Sequence, residues 1–272
     1  MNLESYFIKQ FVSKHIGDDG ALLEGYVYSK DAFFENVHFK REWLSYFDIA
    51  RKSMLVNISD AVAMNADPKY ILLSVAMPRH MSKEDMRELA NGFKSVAAEF
   101  GAEIVGGDTI SNIKLDITIT VISKVEKPLL RSNIRKGYLF AYTGELGESK
   151  KELRKLFNLG KIHSKSKFID IKLRRDFVRK AQRELKSGMD ISDGLLSDID
   201  KIVGPKRLGV KFFTKLSKSV GCSGEEYEML VAFDKRDKAA VLRRAALSRT
   251  KLTIFGEAVR GRYTNRCKPN HF

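Results

Sequence analysis

The sequence predicts an α/β protein of the α+β kind, built as two halves. Apolar residues recur three or four apart in some segments and alternate or run together in others, and the two kinds follow one another as strand, helix, strand around residues 70–122. With 272 residues, 43% of them apolar, the chain can bury ordinary cores, and its 31% charged fraction contains no low-complexity run. A shift to charge plus one proline near residues 124–135 marks a linker. It divides the chain into an amino-terminal domain, 1–127, and a carboxy-terminal domain, 128–272.

Residues 48–66 read as a helix, with Ile49, Ser53, Val56 or Asn57, Asp60 and Met64 at helical spacing beside a separate apolar stripe, so Asp60 lies mid-helix or near its end. Residues 70–76 form an apolar run closed by Pro78, as a buried strand would. Ser82 then caps a helix through Met86, Leu89, Phe93, Val96 and Phe100, which Gly101 stops. A brief strand over 103–105 delivers Gly106-Gly107-Asp108 at its end, and residues 115–122 alternate as a further strand. In the second half, 139–143 reads as a strand and 148–159 as a helix, followed by a basic connection and a helix over 174–185. Asp190 precedes a helix that Ser192 or Asp193 can cap, with Leu195, Leu196, Ile199 and Ile202 as its buried face and its first amides able to meet an anion. Strands at 210–213, 228–233 and 251–255 and a helix over 235–247 complete the chain, and no tandem repeat is evident.

The formal net charge is +15. Such a balance permits nucleic-acid binding, but the cations are diffuse. Their densest region, 150–183, interleaves Lys and Arg with Leu, Ile and Phe and reads as a solvated surface, with attraction of small anions or a nucleic-acid face as the alternatives. Cys222 and Cys267 are too few and too far apart for a metal knuckle or a disulfide framework, so two unpaired thiols in a reducing compartment are expected. The first residues carry an acid and no apolar h-region, and no run approaches the roughly 18 apolar residues of a membrane span. A cytoplasmic protein without a membrane partner is the expectation.

There is no P-loop, protein-kinase signature set, nucleophile elbow or H-E-x-x-H. What stands out instead is a series of acidic motifs flanked by Gly, Ser or Thr: Gly17-Asp18-Asp19, Ser29-Lys30-Asp31, Ser59-Asp60, Gly106-Gly107-Asp108-Thr109 and Met189-Asp190-Ile191-Ser192-Asp193-Gly194. Each alone is a common turn or cap. Carboxylates on tight, Gly-flanked turns add little stability to a basic protein. Mg²⁺, in contrast, needs hard oxygen ligands and leaves positions for waters and substrate phosphates, so the series points to a phosphate site holding several ions.

In order and spacing these motifs resemble the thiamine-monophosphate kinases, members of the superfamily of aminoimidazole-ribonucleotide synthetase, selenophosphate synthetase and related ATP-using enzymes. The resemblance extends through Asn36-Val37-His38-Phe39, Arg131-Ser132, Thr143-Gly144-Glu145-Leu146-Gly147, Gly224-Glu225-Glu226-Tyr227-Glu228 and the terminal His271-Phe272. It implies a two-domain aminoimidazole-ribonucleotide synthetase-like fold, with the amino-terminal sheet at the interface of a homodimer and an α/β carboxy-terminal domain. It also implies transfer of the ATP γ-phosphoryl group to thiamine monophosphate.

Carried over by position, Asp19, Ser29, Asp31, Asp60, Asp108, Asp190 and Asp193 would hold Mg²⁺, with Asp18 close by. Gly107, Asp108, Arg131 and Ser192 would touch ATP, and His38 and Glu225 the thiamine phosphate. Asp60, Asp108, Asp190 and Asp193 then serve catalysis by binding metal rather than by moving protons. Lys30 stands where the family usually has Thr, Gly20 where it has Ala, Ser223 for a Gly, Glu226 for an Asp, and Pro269 where an aromatic often precedes the terminal His-Phe. An acceptor phosphate with a second pKa of about 6 is largely ionised at neutral pH, so direct in-line attack needs no general base. Two rivals are a sister ATP-dependent enzyme of purine, selenophosphate or carbamoyl-maturation type, and a basic nucleic-acid-binding module whose acidic motifs are merely turns and caps.

Overall fold

The structure, a computed structural model, describes residues 3–268. After a short helix α1 (Leu3–Ile8) come β1 (Ala21–Leu23), β2 (Tyr26–Phe34), α2 (Tyr46–Ala63), β3 (Asp67–Pro78), α3 (Lys83–Phe100), β4 (Glu103–Asn112) and β5 (Asp116–Lys124). The second half carries β6 (Leu139–Thr143), α4 (Glu148–Phe157), α5 (Arg175–Ala181), β7 (Leu185–Asp190), α6 (Leu195–Val203), β8 (Leu208–Phe212), α7 (Lys218–Gly221), β9 (Met229–Phe233), α8 (Lys238–Leu247) and β10 (Leu252–Arg260).

The first sheet has the order β1-β2-β5-β3-β4, and the second has the order β7-β9-β6-β10-β8. β3 and β4 are parallel and joined through α3, whereas β2, β5 and β3 pair antiparallel. In β5, Ile117, Ile119 and Val121 are wholly buried and alternate with half-buried Thr118, Thr120 and Ile122, so one face of this sheet is core. That core is continuous with Ala141, Phe177, Val231 and Phe233 of the second half. A second cluster around Phe140, Met189, Ile199 and Phe255 lies beneath α6.

α2 sits between the two sheets and is buried over most of its surface, including Ser53, Asn57 and Ser59. Ser45 caps it by accepting the Asp48 N–H, and Ser82 with Asp85 forms a full capping box on α3. The helices approach so closely at Gly92 that a Cβ there would meet the Phe47 carbonyl oxygen and lie 2.6 Å from the Ala50 Cβ.

Several elements depart from the sequence reading. Ser29 and Asp31 lie within the nine-residue strand β2 rather than on a turn. The expected brief strand at 103–105 runs on to Asn112, because it pairs along β3 as far as Pro78. The helix expected over 174–185 ends at Ala181. Residues 185–190 then form β7, which pairs with β9 through a register shift after Leu185, so that Leu185 joins the larger core and Met189 the cluster beneath α6. α6 begins after Gly194 without a side-chain cap, since Asp193 is drawn to Lys201. Cys222 and Cys267 are bonded to each other with Cα atoms 5.5 Å apart, contrary to the expectation of unpaired thiols. The segment after β10 folds back over α6, anchored by Tyr263 on the Leu196 carbonyl and Asn265 on Ser197, which closes a separation of 45 residues. No helix among the described residues is long and apolar enough to cross a membrane. Pro269 and the terminal His271-Phe272 lie outside the described residues.

Because α2 carries several site residues, its seat on α3 is open to direct test. Gly92→Ala is expected to cost about 1–3 kcal/mol through overpacking, read as a lower denaturant midpoint at unchanged slope. An unchanged midpoint would show that the two helices are not held this closely.

Candidate functional site

Three acidic side chains from distant parts of the chain meet at the seam between the halves. Asp19 comes from the loop before β1, Asp60 from the last turns of α2, and Asp190 from the end of β7. One carboxylate oxygen from each lies within 4.8 Å of the others. Gly20 lets the Asp19 loop lie against the sheet, since a Cβ there would come 2.7 Å from Val27. Ser59 Oγ donates to Asp190 Oδ2 at 2.6 Å and so ties α2 to β7.

This gathering is electrostatically costly. Burial pushes the Asp19 carboxyl up to about 7, opposed by Arg131 and reinforced by Asp190. Asp60 is held well above the ordinary carboxylate range by burial and then by the charges of Asp31, Asp190 and Asp19, and Asp190 is raised chiefly by burial. Asp19 Oδ2 is buried without a hydrogen-bond partner. Clustered carboxylate oxygens, one of them unsatisfied, suit a hard divalent cation.

Around this triad the other expected residues fall into three groups. The Arg131 N–H donates to Asp18 Oδ1 at 2.7 Å, and its guanidinium donates to Asp19. Asp31 and Ser29 point from β2 toward α2, where the Asp31 N–H donates to Asn57 Oδ1 at 2.8 Å and Ser29 Oγ donates to the Asn57 carbonyl. Asp193 meets Lys201 Nζ at 2.7 Å, which also lies 2.8 Å from the buried Asp198.

Asp108 and Gly107 stand apart from the triad, on the edge strand β4, and both are exposed. Strand register explains the position of Asp108: it pairs with Ser74, which pairs with Thr118, which pairs with Ala32, one residue out of phase with Asp31. Side chains alternate between faces, so Asp108 shares the outer face and Asp31 the inner one. Lys30 is also outward, with Nζ 3.3 Å from Thr118 Oγ1. Gly107 has φ +150°, and a Cβ there would collide with the Leu73 carbonyl.

A cavity of about 270 Å³, linked to the triad through Ser192 two residues after Asp190, has walls that include His38, Phe168, Ser192 and Glu225. His38 Nδ1 accepts the Phe34 N–H at 3.0 Å, and the ring stacks on Phe33. Glu225 and Tyr227 have φ of 54° and 48°, the left-handed region that such residues rarely occupy. The loop is pinned there. The Glu225 N–H donates to the Ser192 carbonyl at 2.7 Å, Ser149 Oγ donates to the Glu225 carbonyl at 2.7 Å, and the Tyr227 N–H donates to the Ile191 carbonyl.

Sequence reading missed the cations that brace this loop. Lys167 Nζ lies 2.9 Å from Glu226 Oε2, and Arg174 makes a two-pronged contact with Glu228, so part of the basic region is internal rather than solvated. It also missed Lys52, buried in α2 and donating to Glu225 at 2.8 Å. A signal was present, since Lys52 falls in phase with the buried Val56, Ser59 and Ala63.

The sign of the pH response follows from Asp19. Its folded value of about 7 lies above the ordinary 3.8, so its stabilising contribution is complete below 3.8 and is lost as pH rises through 7. In chelator, thermal stability is expected to fall between about pH 5 and 7, and Mg²⁺ is expected to reverse that fall by binding the ionised carboxylates. A melting temperature that rose across this window in chelator would show the cluster to be ionised and already satisfied.

Comparison with known proteins agrees with this architecture. A family model described as AIR synthase related protein, N-terminal domain, matches residues 17–125. The thiamine-monophosphate kinase of Leptospira interrogans is 30% identical over 230 residues, covering 76% of this chain and 74% of that protein. That of Bacillus subtilis is 32% identical over 206 residues, covering 69% of this chain but only 63% of the Bacillus protein. Among solved structures, one described as AaThiL complexed with AMPPCP and TMP superposes with a TM-score of 0.85 at 23% identity, covering 96% of this chain and 91% of that one. Hydrogenase maturation protein HypE in complex with ATP gives 0.71 at 15% identity, covering 93% and 84%, so at this level likeness shows the fold alone. With one relative at 30% identity matched over about three quarters of both chains, this chain belongs to the thiamine-monophosphate kinase family.

Proposed function

We propose that this protein transfers the γ-phosphoryl group of ATP to thiamine monophosphate, giving thiamine diphosphate. The observation that carries the reading is the convergence of Asp19, Asp60 and Asp190, linked through Ser192 to a cavity walled also by His38 and Glu225. The AMPPCP and TMP held by the AaThiL structure are an ATP-like and a phosphate-bearing ligand of the kind this site would take.

Asp19, Asp60 and Asp190 would hold Mg²⁺, with Ser29, Asp31 and Asp193 at their margin and Asp108 on the sheet's outer face. Bound there, the ions would offset charge on the transferring phosphoryl oxygens and align donor with acceptor. The chain supplies no nucleophile of its own. An ionised acceptor phosphate needs no base, so the carboxylates hold cations rather than protons during turnover. Arg131, already within the cluster, adds a fixed positive charge for the ATP phosphates, and His38 and Glu225 flank the acceptor.

A homodimer formed through the first sheet belongs to this reading. Tyr28, Tyr70, Leu72, Val105 and Ile110 are exposed apolar residues on its strands, and β4 is an open edge. We keep 1–127 and 128–272 as the two domains and a cytoplasmic location. In a reducing compartment Cys222 and Cys267 would be neighbouring thiols, brought together by the same fold. Nucleic-acid binding is disfavoured because Lys167, Arg174, Arg175 and Arg179 are engaged with Glu226, Glu228 and Asp67.

Asp60→Asn and Asp190→Asn are each expected to lower kcat by about two to three orders of magnitude while keeping the fold, since each removes a charge from a crowded cluster. ADP release should require both thiamine monophosphate and Mg²⁺ and stop in chelator. ADP release indifferent to thiamine monophosphate, or near-normal turnover of either variant in saturating Mg²⁺, would remove the basis of the reading.

A further inference from the structure

Lys52 is 1% exposed, a rare state for a lysine, and nothing in phosphoryl transfer as derived above uses it. Its Nζ lies 2.8 Å from Glu225 Oε2 and 3.4 Å from the centroid of the Phe168 ring, with Phe33 on another side at 5.7 Å. Glu225 and Phe168 are both walls of the acceptor cavity, and the Glu225 side chain is 28% exposed there. The lysine thus stands behind the cavity wall and grips Glu225, the acidic side chain among the described residues that line it.

Two further features make this grip consequential. The Glu225 backbone is set in its left-handed conformation by Ser192 and Ser149, but neither touches its carboxylate, which Lys52 orients. Glu225 also shares a neighbourhood with the acidic cluster: its charge and those of Asp31, Asp190 and Asp60 all bear on the buried Tyr227 hydroxyl. A carboxylate placed there without its own cation would be a further oxygen ligand for any divalent ion, and its long side chain would be free to turn toward one.

We propose that Lys52 is a positioning residue that commits Glu225 to the acceptor: by pairing with one carboxylate oxygen it aims the other into the cavity, toward the cationic ring of thiamine monophosphate, and keeps Glu225 from joining the metal ligands. The role rests on the kinase reading. It differs from a structural role in what it should change, because a purely structural lysine would affect stability and both substrates alike.

The test measures thiamine monophosphate binding by calorimetry with AMPPCP and Mg²⁺ present, together with the KM values of both substrates. K52M is expected to weaken thiamine monophosphate about 10–30-fold, the scale of losing a charge-assisted hydrogen bond, while the KM for ATP stays within about twofold. The K52M/E225Q double variant should bind no more weakly than E225Q alone, and K52R, which retains the charge, should recover affinity to within about fivefold of wild type. Unchanged affinity in K52M, an equal rise in the KM for ATP, or additive losses in the double variant would overturn the role. Should K52M not fold, K52R decides: a loss as large as that of E225Q overturns the role, and near-wild-type affinity supports it. If the wild-type chain itself fails to bind thiamine monophosphate, the kinase reading falls, and the role of Lys52 with it, a result distinct from all the others.

Discussion

Holding Asp19, Asp60 and Asp190 together in a buried place is unfavourable in itself, and much of the surrounding structure exists to enforce it. None of the three sits on a segment free to swing away. Asp19 is on a loop laid against β2, Asp60 on a helix wedged between two sheets, and Asp190 at the end of a strand paired with β9. Burial above all, and then the charges of neighbouring aspartates, raise these carboxyls, so on the proposed reading a cation bound there would offset part of a cost that the fold bears.

The ties that enforce the cluster run across the seam between the halves. Ser59 reaches Asp190, Arg131 reaches Asp18 and Asp19, and Lys52 reaches Glu225. The loop carrying Glu225 adds strain of its own, with two non-glycine residues in left-handed conformations that cost about 1–3 kcal/mol each. Lys167 and Arg174 hold that loop down through Glu226 and Glu228. The Glu228 carboxyl is lowered because Arg174, Lys167 and Thr143 together outweigh its burial. The second half therefore spends part of its basic character inside.

What the sequence made legible was regular structure in which an apolar stripe follows the period of the element. α2, α3 and β3 follow the apolar period, and Ser82 and Gly101 bound α3 as their chemistry dictates. β2 and β7 escaped because their inner faces serve the site. Val27, Ser29, Asp31 and Phe33 point inward, so polar residues occupy positions where the alternation rule expects apolar ones. Ser187 and Asp190 blur β7 in the same way. The motif series pointed to one site but could not report strand order or parity, and these place Asp108 on β4, separated from β2 by β5 and β3 and on the opposite face from Asp31. Cys222 and Cys267 were misjudged on sequence separation, which says nothing of where a returning tail will lie.

The same parity bears on the most conspicuous substitution in the chain. Lys30 stands between two site residues where the family resemblance leads one to expect Thr, and on a turn its ammonium would have stood among the carboxylates. On β2 it faces outward against Thr118 and Thr120, leaving Ser29 and Asp31 directed at α2. Arg131 and Lys201 are the cations that do reach the acidic region, and each is paired with an aspartate already. A chain of formal charge +15 thus keeps its site acidic while its surface stays basic. On the proposed reading this division is functional: the exterior field draws in nucleotide and vitamin phosphate, while the interior cluster keeps its oxygens for divalent cations.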